Sequence, residues 1–329
     1  MDLEESNKKS FLKYCSLNSK YIMNISIILI IILSIFLIYY KTQNFYINKE
    51  KEELTKKRIF DVNFEYHKYQ REKITDKIHR YSNWQLTSED PYFINGIIRK
   101  YKPKKCLEIG VAYGGSSILI LNAIKDIKDS FLISLDLNTY LYTGEKLETG
   151  YNVKKYFPEL TDKWKLYTGD QPHKFLDKLN LKFDFLYLDT SHITPGEIIN
   201  MIEALPFLED NAIVILHDIM QHLPSYRTKN KNLKYHPSQI YLMTGLIGDK
   251  VIIDKKENGC TNIGAVFLYP NQERYYINYF LLLASNWEYM PTDEQIEDLR
   301  KFIKKYFKKD IYINLFNLSV KENKLFFHK

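Results

Sequence analysis

The sequence predicts an α/β fold built on a doubly wound, mostly parallel sheet, and three observations lead to that prediction. After residue 90, short apolar runs alternate with stretches of helical pattern. Runs of this kind are typical of parallel strands that are covered by helices on both faces. The last two apolar runs follow one another across a turn-rich loop, which predicts an antiparallel hairpin at the edge of the sheet.

The predicted parallel strands end in polar residues, mostly acids or glycine. Because the carboxyl ends of parallel strands meet at one edge of a sheet, we expect a ligand to bind there. The predicted strands are 106–110, 131–135, 165–168, 183–188 and 212–216, and the closing hairpin spans 251–268.

Capping residues and prolines indicate where helices begin. Asp90-Pro91 predicts the start of a helix that ends at Lys102-Pro103. Thr194-Pro195-Gly196-Glu197 predicts a helix that begins with a capping box and a proline in its first turn.

The main domain is predicted over residues 88–270, where the strand and helix patterns alternate. Beyond it, Thr292 and Gln295 have capping-box spacing and begin an amphipathic pattern. We therefore expect residues 271–329 to form a helical extension that packs on the domain.

The N-terminal part differs in character. After a tail of residues 1–21, residues 22–40 contain no charged residue, and this length of apolar helix crosses a bilayer. No small-residue cleavage site follows, so the segment predicts one uncleaved transmembrane helix, with a buried core helix as the alternative. Residues 41–87 are charged and predict a helical stalk. The lysines and arginines after the segment favour a single-pass membrane protein with a cytoplasmic catalytic part.

The composition narrows the class of protein. With 329 residues, 45% hydrophobic and 26% charged, the chain is neither wholly disordered nor a multi-span membrane protein. Its 47 basic and 40 acidic residues are interspersed, and the net charge of +7 predicts no nucleic-acid partner. The three cysteines are far apart in sequence and indicate neither a disulfide framework nor a metal site.

A turn rich in glycine follows the first predicted strand. Glu108, Gly110, Gly114, Gly115 and Ser116 lie where that strand turns into the next helix. Glycines allow a close approach of backbone to ligand, and the helix N-terminus offers N–H groups to an anion.

The next predicted strand ends at Asp136, a carboxylate that can accept hydrogen bonds from both ribose hydroxyls. The glycine-rich turn and Asp136 together predict a nucleoside site. The Gly110-x-x-x-Gly114-Gly115 spacing differs from the Gly-x-Gly-x-x-Gly of dinucleotide enzymes, which disfavours a dehydrogenase.

The segment "LEIGVxxGGSS" resembles motif I of the class I S-adenosylmethionine-dependent methyltransferases, in the sugar and small-molecule O-methyltransferase branch. The resemblance covers roughly residues 88–270 and implies a Rossmann-like fold whose sheet closes with the hairpin. It also implies S-adenosyl-L-methionine as cofactor. The turn around Gly110 and Gly114-Gly115 would then surround the methionyl part, Asp136 would hold the ribose, and Gly169-Asp170 would lie beside the adenine.

A second group of polar residues lies at the ends of the fourth and fifth strands. Asp189 and Asp218 end neighbouring predicted strands, so we expect their carboxylates to lie close together. Two neighbouring carboxylates repel each other, which costs free energy unless one is protonated or a cation bridges them. Oxygen ligands suit Mg²⁺ or Mn²⁺. His192 lies in a short loop and is a candidate general base, because imidazole titrates near neutral pH; a histidine that only caps or packs is the alternative.

These residues resemble the "DxxH … HD" pattern of the same branch, which is related to the cephalosporin hydroxylase and macrocin O-methyltransferase groups. Those groups place magnesium on acids at these strand ends. This chain has His217-Asp218 where the relatives have Glu-Asp. The expected metal ligands are Asp189, His217 and Asp218, and a site without metal is the alternative.

Taken together, the sequence predicts a membrane-anchored methyltransferase that acts on a hydroxyl of a small-molecule or glycan acceptor. Two alternatives remain from the sequence. One is a scaffold protein that retains the nucleoside pocket without chemistry, and the other is a metal-dependent relative of the hydroxylases.

Overall fold

The computed structural model consists of two units, Met1–Lys57 and Arg58–Lys329. In the first unit, residues 52–57 are helical. The predicted transmembrane segment 22–40 lies outside the described residues except for Ser34, and no helix among the described residues is long and apolar enough to cross a bilayer. The described residues are 34, 41, 49, 52–66, 68, 76–82, 90–220, 238–255 and 259–327.

The second unit contains a seven-stranded sheet in the order β3-β2-β1-β4-β5-β7-β6. Strands β1 to β5 are parallel, and β7 pairs antiparallel with both β5 and β6. This confirms the predicted Rossmann-like sheet with a closing hairpin. The strands are β1 (Lys105–Ile109), β2 (Phe131–Asp136), β3 (Trp164–Thr168), β4 (Phe183–Leu188), β5 (Leu208–His217), β6 (Gly248–Lys255) and β7 (Gly259–Leu268).

The central strands are buried on both faces, which explains their continuous apolar sequences. In β4, Leu186 and Leu188 belong to the core on one face, whereas Phe185 and Tyr187 belong to the core on the other. Alternate side chains of a strand point to opposite faces, so a strand covered on both sides has no position for an exposed polar residue.

Helices cover both faces of the sheet. The helix α9 begins with the predicted capping box, in which the Thr292 hydroxyl and the Gln295 side chain each bond the other residue's backbone. The helices are α1 (Asp76–Ser82), α2 (Asp90–Tyr101), α3 (Gly115–Ile124), α4 (Tyr151–Tyr156), α5 (Pro172–Leu179), α6 (Gly196–Ala204), α7 (Ser238–Gly245), α8 (Tyr276–Leu281), α9 (Asp293–Tyr306) and α10 (Asp310–Phe327).

The prediction of a capping box at Thr194 was wrong in its detail. Helix α6 begins at Gly196, and the Thr194–Pro195 peptide bond before it is cis. The Thr194 hydroxyl donates a hydrogen bond of 2.5 Å to the carbonyl of Asn286 rather than capping α6. A tertiary contact with the C-terminal part of the chain therefore takes the role that the local pattern assigned to the helix start.

The C-terminal helices pack on the face of the sheet that α5 and α6 cover. Phe302 of α9 stacks near Phe207, and its ring lies 5.1 Å from the ring of His173. Lys174 of α5 lies 2.9 Å from Asp298 of α9. This packing brings the segment between α8 and α9 to the carboxyl edge of the sheet.

Candidate active site

A cavity of about 750 Å³ opens at the carboxyl ends of β1, β2, β4 and β5. The strand order reverses between β1 and β4, and ligands bind at such a switch point in open α/β sheets. Seven of the sequence-predicted site residues line this cavity, namely Gly110, Ser116, Asp136, Asp189, His192, His217 and Asp218. The predicted residues Glu108, Gly114, Gly115, Gly169 and Asp170 are not among its lining residues.

Gly110 is the position where β1 and β4 come closest at this edge. Its φ is +92°, and a Cβ added there would lie 1.7 Å from the carbonyl oxygen of Asp189. Only glycine has the conformational freedom and the small size that this position requires. The glycine that the sequence marks as a ligand turn therefore also allows the two strand ends to meet.

Asp136 holds the turn that follows Gly110. Its Oδ2 accepts hydrogen bonds from the backbone N–H groups of Val111 and Ala112, at 2.9 and 3.1 Å. Its Oδ1 accepts from the backbone N–H of Asn138 at 2.8 Å. The carboxylate thus lies at the rim of the cavity in a fixed orientation.

Glu108 braces the same turn from inside the fold. It is fully buried and accepts hydrogen bonds from the hydroxyls of Ser116, Ser117 and Ser134 at 2.5–2.6 Å. Burial raises the pKa of Glu108 to about 7, and the three hydroxyl donors only partly oppose this. Its position indicates a structural role behind the cavity wall.

The residues after β3 are divided between the surface and the cavity. Asp170 forms an ion pair of 2.9 Å with Lys174, one turn along α5. Its neighbour Gln171 lines the cavity, is 8% exposed, and its Oε1 has no hydrogen-bond partner among the described residues. The sequence analysis missed Gln171, although the predicted pair Gly169-Asp170 lies directly before it.

Asp189, His192 and Asp218 come together at the ends of β4 and β5. His192 Nδ1 lies 3.5 Å from Asp189 Oδ1, and His192 Nε2 lies 3.5 Å from Asp218 Oδ2. One ligand atom from each of the three residues lies within 4.8 Å of the others. Two carboxylates and an imidazole are donors that suit a divalent cation, so the residues present fit one.

The backbone at this cluster adopts a conformation that side chains rarely take. His192 has φ +61° and Asp218 has φ +58°, both in the left-handed region. Such strain costs free energy and persists where the surrounding contacts hold it. Here Glu197 Oε1 accepts from the backbone N–H of His192 at 2.6 Å, and the Asn262 amide donates to Asp218 Oδ1.

Two further residues that the sequence analysis missed support the His192 loop. The side-chain amide of Gln239 lies 2.7 Å from His192 Nδ1 and donates to Glu197 Oε1 at 3.0 Å. Tyr289, from the segment before α9, lines the cavity, and burial raises the pKa of its phenol to about 12. Neither has a local sequence signal, because α7 and α9 reach the site only through packing.

His217 is not in the three-residue cluster, although the sequence analysis expected it to be a metal ligand. Its Nε2–H donates to Asp90 Oδ2 at 2.9 Å, and its Nδ1 lies 3.3 Å from Asp189 Oδ2. Burial acts to lower the pKa of His217, but Asp189 and Asp90 together raise it well above its ordinary value. The predicted helix does begin at Asp90, and the structure also pairs the Asp90 carboxylate with this buried imidazole.

The two carboxylates of the cluster differ electrostatically. Burial acts to raise the pKa of Asp189, but the attraction of His217 and His192 lowers it below its ordinary value. For Asp218, burial raises the pKa, and repulsion by Asp189 adds to that effect against the attraction of His217 and His192. Asp189 is therefore the carboxylate that carries its charge most readily.

Part of the chain is similar to a known protein family. Residues 107–219 match a family model described as a methyltransferase domain. No curated protein matches the sequence.

Three solved structures are similar to this chain at low identity. The O-methyltransferase TomG from Streptomyces achromogenes is 13% identical, and the match covers 64% of this chain and 96% of TomG with a TM-score of 0.46. The O-methyltransferase from Bacillus cereus is also 13% identical, and the match covers 62% of this chain and 96% of that protein with a TM-score of 0.45. The methyltransferase PaMTH1 from Podospora anserina is 17% identical, and the match covers 59% of this chain and 88% of PaMTH1 with a TM-score of 0.41.

The raised pKa of Glu108 predicts a pH dependence of stability. A carboxyl whose folded pKa exceeds its unfolded value of 4.5 contributes stability that is fully present below pH 4.5 and is lost as the pH rises through about 7. The free energy of unfolding should therefore fall by up to roughly 3 kcal/mol from this group between pH 5 and 8. In Glu108→Gln this part of the slope should vanish, as measured by urea unfolding at several pH values.

The control for this measurement is Glu209→Gln, since Glu209 is a half-exposed carboxyl outside the cavity. It should keep the wild-type slope. Equal slopes for Glu108→Gln and the wild type would show that Glu108 is ionised in the folded protein at pH 5.

Proposed function

We propose that this chain, in which residues 107–219 are a class I S-adenosylmethionine-dependent methyltransferase domain, methylates a hydroxyl oxygen of an acceptor. One observation carries the proposal. A single cavity is lined both by the Gly110 turn with Asp136 and by the cluster of Asp189, His192 and Asp218. A nucleoside site and a group that can remove a proton therefore share one space, as methyl transfer to oxygen requires.

The cavity residues fit the cofactor, which supplies a sulfonium methyl group when bound. Asp136 has the strand-end position from which a carboxylate accepts hydrogen bonds from ribose hydroxyls. Gly110, Gly114, Gly115 and Ser116 form the turn at the N-terminus of α3, where we place the methionyl part.

We place the adenine beside Gly169-Asp170 at the end of β3. The buried Oε1 of Gln171, which follows this pair, can accept a hydrogen bond from an exocyclic amino group. An acceptor with nothing to bond to among the described residues is costly unless a ligand supplies the donor. Glu108 supports this half of the site from behind, through Ser116.

His192 is the proposed general base. Its imidazole lies in the cavity and is held between Asp189 and Asp218. With the cofactor bound, the methyl group would pass from its sulfur to the acceptor oxygen, and His192 would take the proton of the hydroxyl. Contacts of His192 with Glu197 and Gln239 hold the strained loop and keep the imidazole at that place.

Asp189 and Asp218 are the proposed ligands of a Mg²⁺ or Mn²⁺ ion, with His217 behind them. Such an ion, when bound, lowers the pKa of a hydroxyl that coordinates it and orients that hydroxyl. The oxygens of Asp189 and Asp218 face the same cavity, so they can hold an acceptor close to His192.

We also propose that residues 22–40 anchor the enzyme in a membrane as one helix, with the catalytic part on the cytoplasmic side. The uncharged run of this length and the lysines and arginines after it support the anchor. A membrane location favours a glycan or lipid-linked hydroxyl as acceptor.

Membrane anchoring predicts that the full chain stays in the membrane pellet through a carbonate wash. The double substitution Ile30→Lys and Ile31→Lys should release it, because charges in the middle of a spanning helix disfavour insertion. Protease added to sealed vesicles of known orientation should cut the C-terminal part only from the cytoplasmic face. Release of the wild type by carbonate would refute the anchor without affecting the enzymatic proposal.

The nucleoside role of Asp136 predicts a loss of cofactor affinity in Asp136→Ala. Removing hydrogen bonds to a charged carboxylate costs about 1.5–3 kcal/mol, so the Kd for S-adenosylhomocysteine should rise by roughly 10–100-fold in a calorimetric titration of the full chain. Asp177→Ala is a matched control, since Asp177 pairs with Lys305 on the surface away from the cavity. If the wild type does not bind S-adenosylhomocysteine, the proposed function is wrong.

The base role of His192 predicts that His192→Ala binds S-adenosylhomocysteine as well as the wild type but transfers methyl groups at least about 100-fold more slowly. Transfer is followed with methyl-tritiated S-adenosylmethionine and a panel of monosaccharides and glycolipids. The Mn²⁺ affinity of His192→Ala distinguishes a role of His192 as general base from a role as metal ligand. An unchanged Kd for Mn²⁺ supports the base, whereas a loss as large as that of Asp189→Asn would make His192 a metal ligand instead.

A further inference from the structure

Asp90 and His217 form a buried pair directly behind the acidic cluster. Both are nearly inaccessible to solvent, with exposures of 0% and 3%, and the His217 Nε2–H donates to Asp90 Oδ2 at 2.9 Å. They are 127 residues apart in sequence. Asp90 comes from the first turn of α2 and lies outside residues 107–219, the part that matches the methyltransferase family model. Nothing in that match accounts for a buried carboxylate at this place.

The other side of the His217 ring contacts the cluster. Its Nδ1 lies 3.3 Å from Asp189 Oδ2 and 3.6 Å from Asp218 Oδ2. An imidazole can turn about its Cβ–Cγ bond through a broad range of angles. A hydrogen bond at Nε2 fixes the ring plane and thereby the direction of Nδ1. The orientation of Nδ1 toward Asp189 therefore depends on Asp90.

The two oxygens of Asp189 have different surroundings as a result. Oδ2 contacts His217 Nδ1 and the Tyr187 hydroxyl, the latter at 3.5 Å. Oδ1 is buried, accepts no hydrogen bond from any residue that the structure describes, and lies 3.5 Å from His192 Nδ1. His217 Nδ1 thus contacts Oδ2 from behind as a close charged neighbour rather than through a well-formed hydrogen bond, whereas Oδ1 faces the cluster. This is the arrangement in which outer groups orient a carboxylate for a cation.

We propose that Asp90 is a positioning residue, which acts through His217 to hold Asp189 Oδ2 so that Asp189 Oδ1 is presented to a divalent cation. The proposal rests on the cation site of the proposed function and extends it to α2. The pair is more than a brace between α2 and β5, because the far side of the ring contacts the carboxylate that lines the cavity. A brace alone would stabilise the fold without affecting cation affinity.

The test is a titration of the full chain with Mn²⁺ alone, in which free Mn²⁺ is measured by electron paramagnetic resonance. Loss of an outer-shell partner typically weakens metal affinity by 10–100-fold, and we expect a weakening in this range for Asp90→Ala. Asp90→Asn keeps an oxygen that can accept from His217 Nε2–H, so it should recover most of the affinity. The Kd for S-adenosylhomocysteine should stay within about threefold of the wild type in both variants.

Asp184→Ala is the matched control. Asp184 is on β4, like Asp189, and accepts backbone hydrogen bonds from Lys104 and Lys105 at 2.9 Å, at the opposite edge of the sheet. Its removal also cuts the link between two segments of the domain, so it should lower the thermal midpoint. It should leave the Mn²⁺ affinity unchanged.

Each outcome decides between the two roles. Wild-type Mn²⁺ affinity in Asp90→Ala, or an equal loss in Asp184→Ala, would overturn the proposal and leave Asp90 a structural brace. If Asp90→Ala fails to fold, Asp90→Asn decides, because a loss of Mn²⁺ affinity equal to that of Asp189→Asn would contradict the rescue. A wild type that binds S-adenosylhomocysteine but not Mn²⁺ would overturn this inference while the methyltransferase proposal stands. A wild type that binds Mn²⁺ but not S-adenosylhomocysteine would overturn the methyltransferase proposal while this inference stands.

Discussion

The close approach of β1 and β4 at Gly110 is the constraint on which the site depends. The carbonyl oxygen of Asp189 occupies the place where a side chain at position 110 would be, and the backbone N–H of Asp189 bonds the carbonyl of Ile109 at 3.0 Å. The Gly110 turn and the acidic cluster are therefore joined where the backbones of Ile109–Gly110 and Asp189 meet. A larger residue at position 110 would push the strand ends apart and separate the two halves of the cavity.

The second feature that organises the site is a concentration of buried charge. Close contacts between carboxylates and an imidazole lead from Asp90 in α2 through His217 in β5 to Asp189 and Asp218 at the cavity. Buried charges are tolerated when each has a partner of opposite sign. Asp189 and Asp218 line the cavity, and His217 contacts both from the side away from the cavity. The side of each carboxylate that faces the cavity is therefore left for a ligand. The carboxylates of Asp189 and Asp218 are thus stabilised from behind by His217 while both residues line the cavity.

The segments outside the matched domain complete this site. Helix α2 contributes Asp90, α7 contributes Gln239, and the segment before α9 contributes Tyr289. The cis Thr194–Pro195 bond lies in the loop that carries His192, and Thr194 bonds to Asn286 in the same C-terminal part. The C-terminal part of the chain therefore helps to build the wall of the cavity and to support the His192 loop.

The sequence by itself determined the succession of strands along the chain, their mostly parallel character, the closing hairpin, and the positions of the Gly110 turn, Asp136, Asp189, His192 and Asp218 at strand ends. These follow from local pattern, because burial on both faces demands continuous apolar runs and the ends of parallel strands must lie together. Only the tertiary structure decided which residues these polar side chains contact. Thr194 has the local pattern of a helix cap, yet its hydroxyl bonds the distant Asn286 instead. Asp90 begins a helix as its local pattern predicts, but its pairing with the distant His217 has no local signal. Gln171 and Gln239 likewise gained their places through packing of separate elements, which no local spacing of residues records.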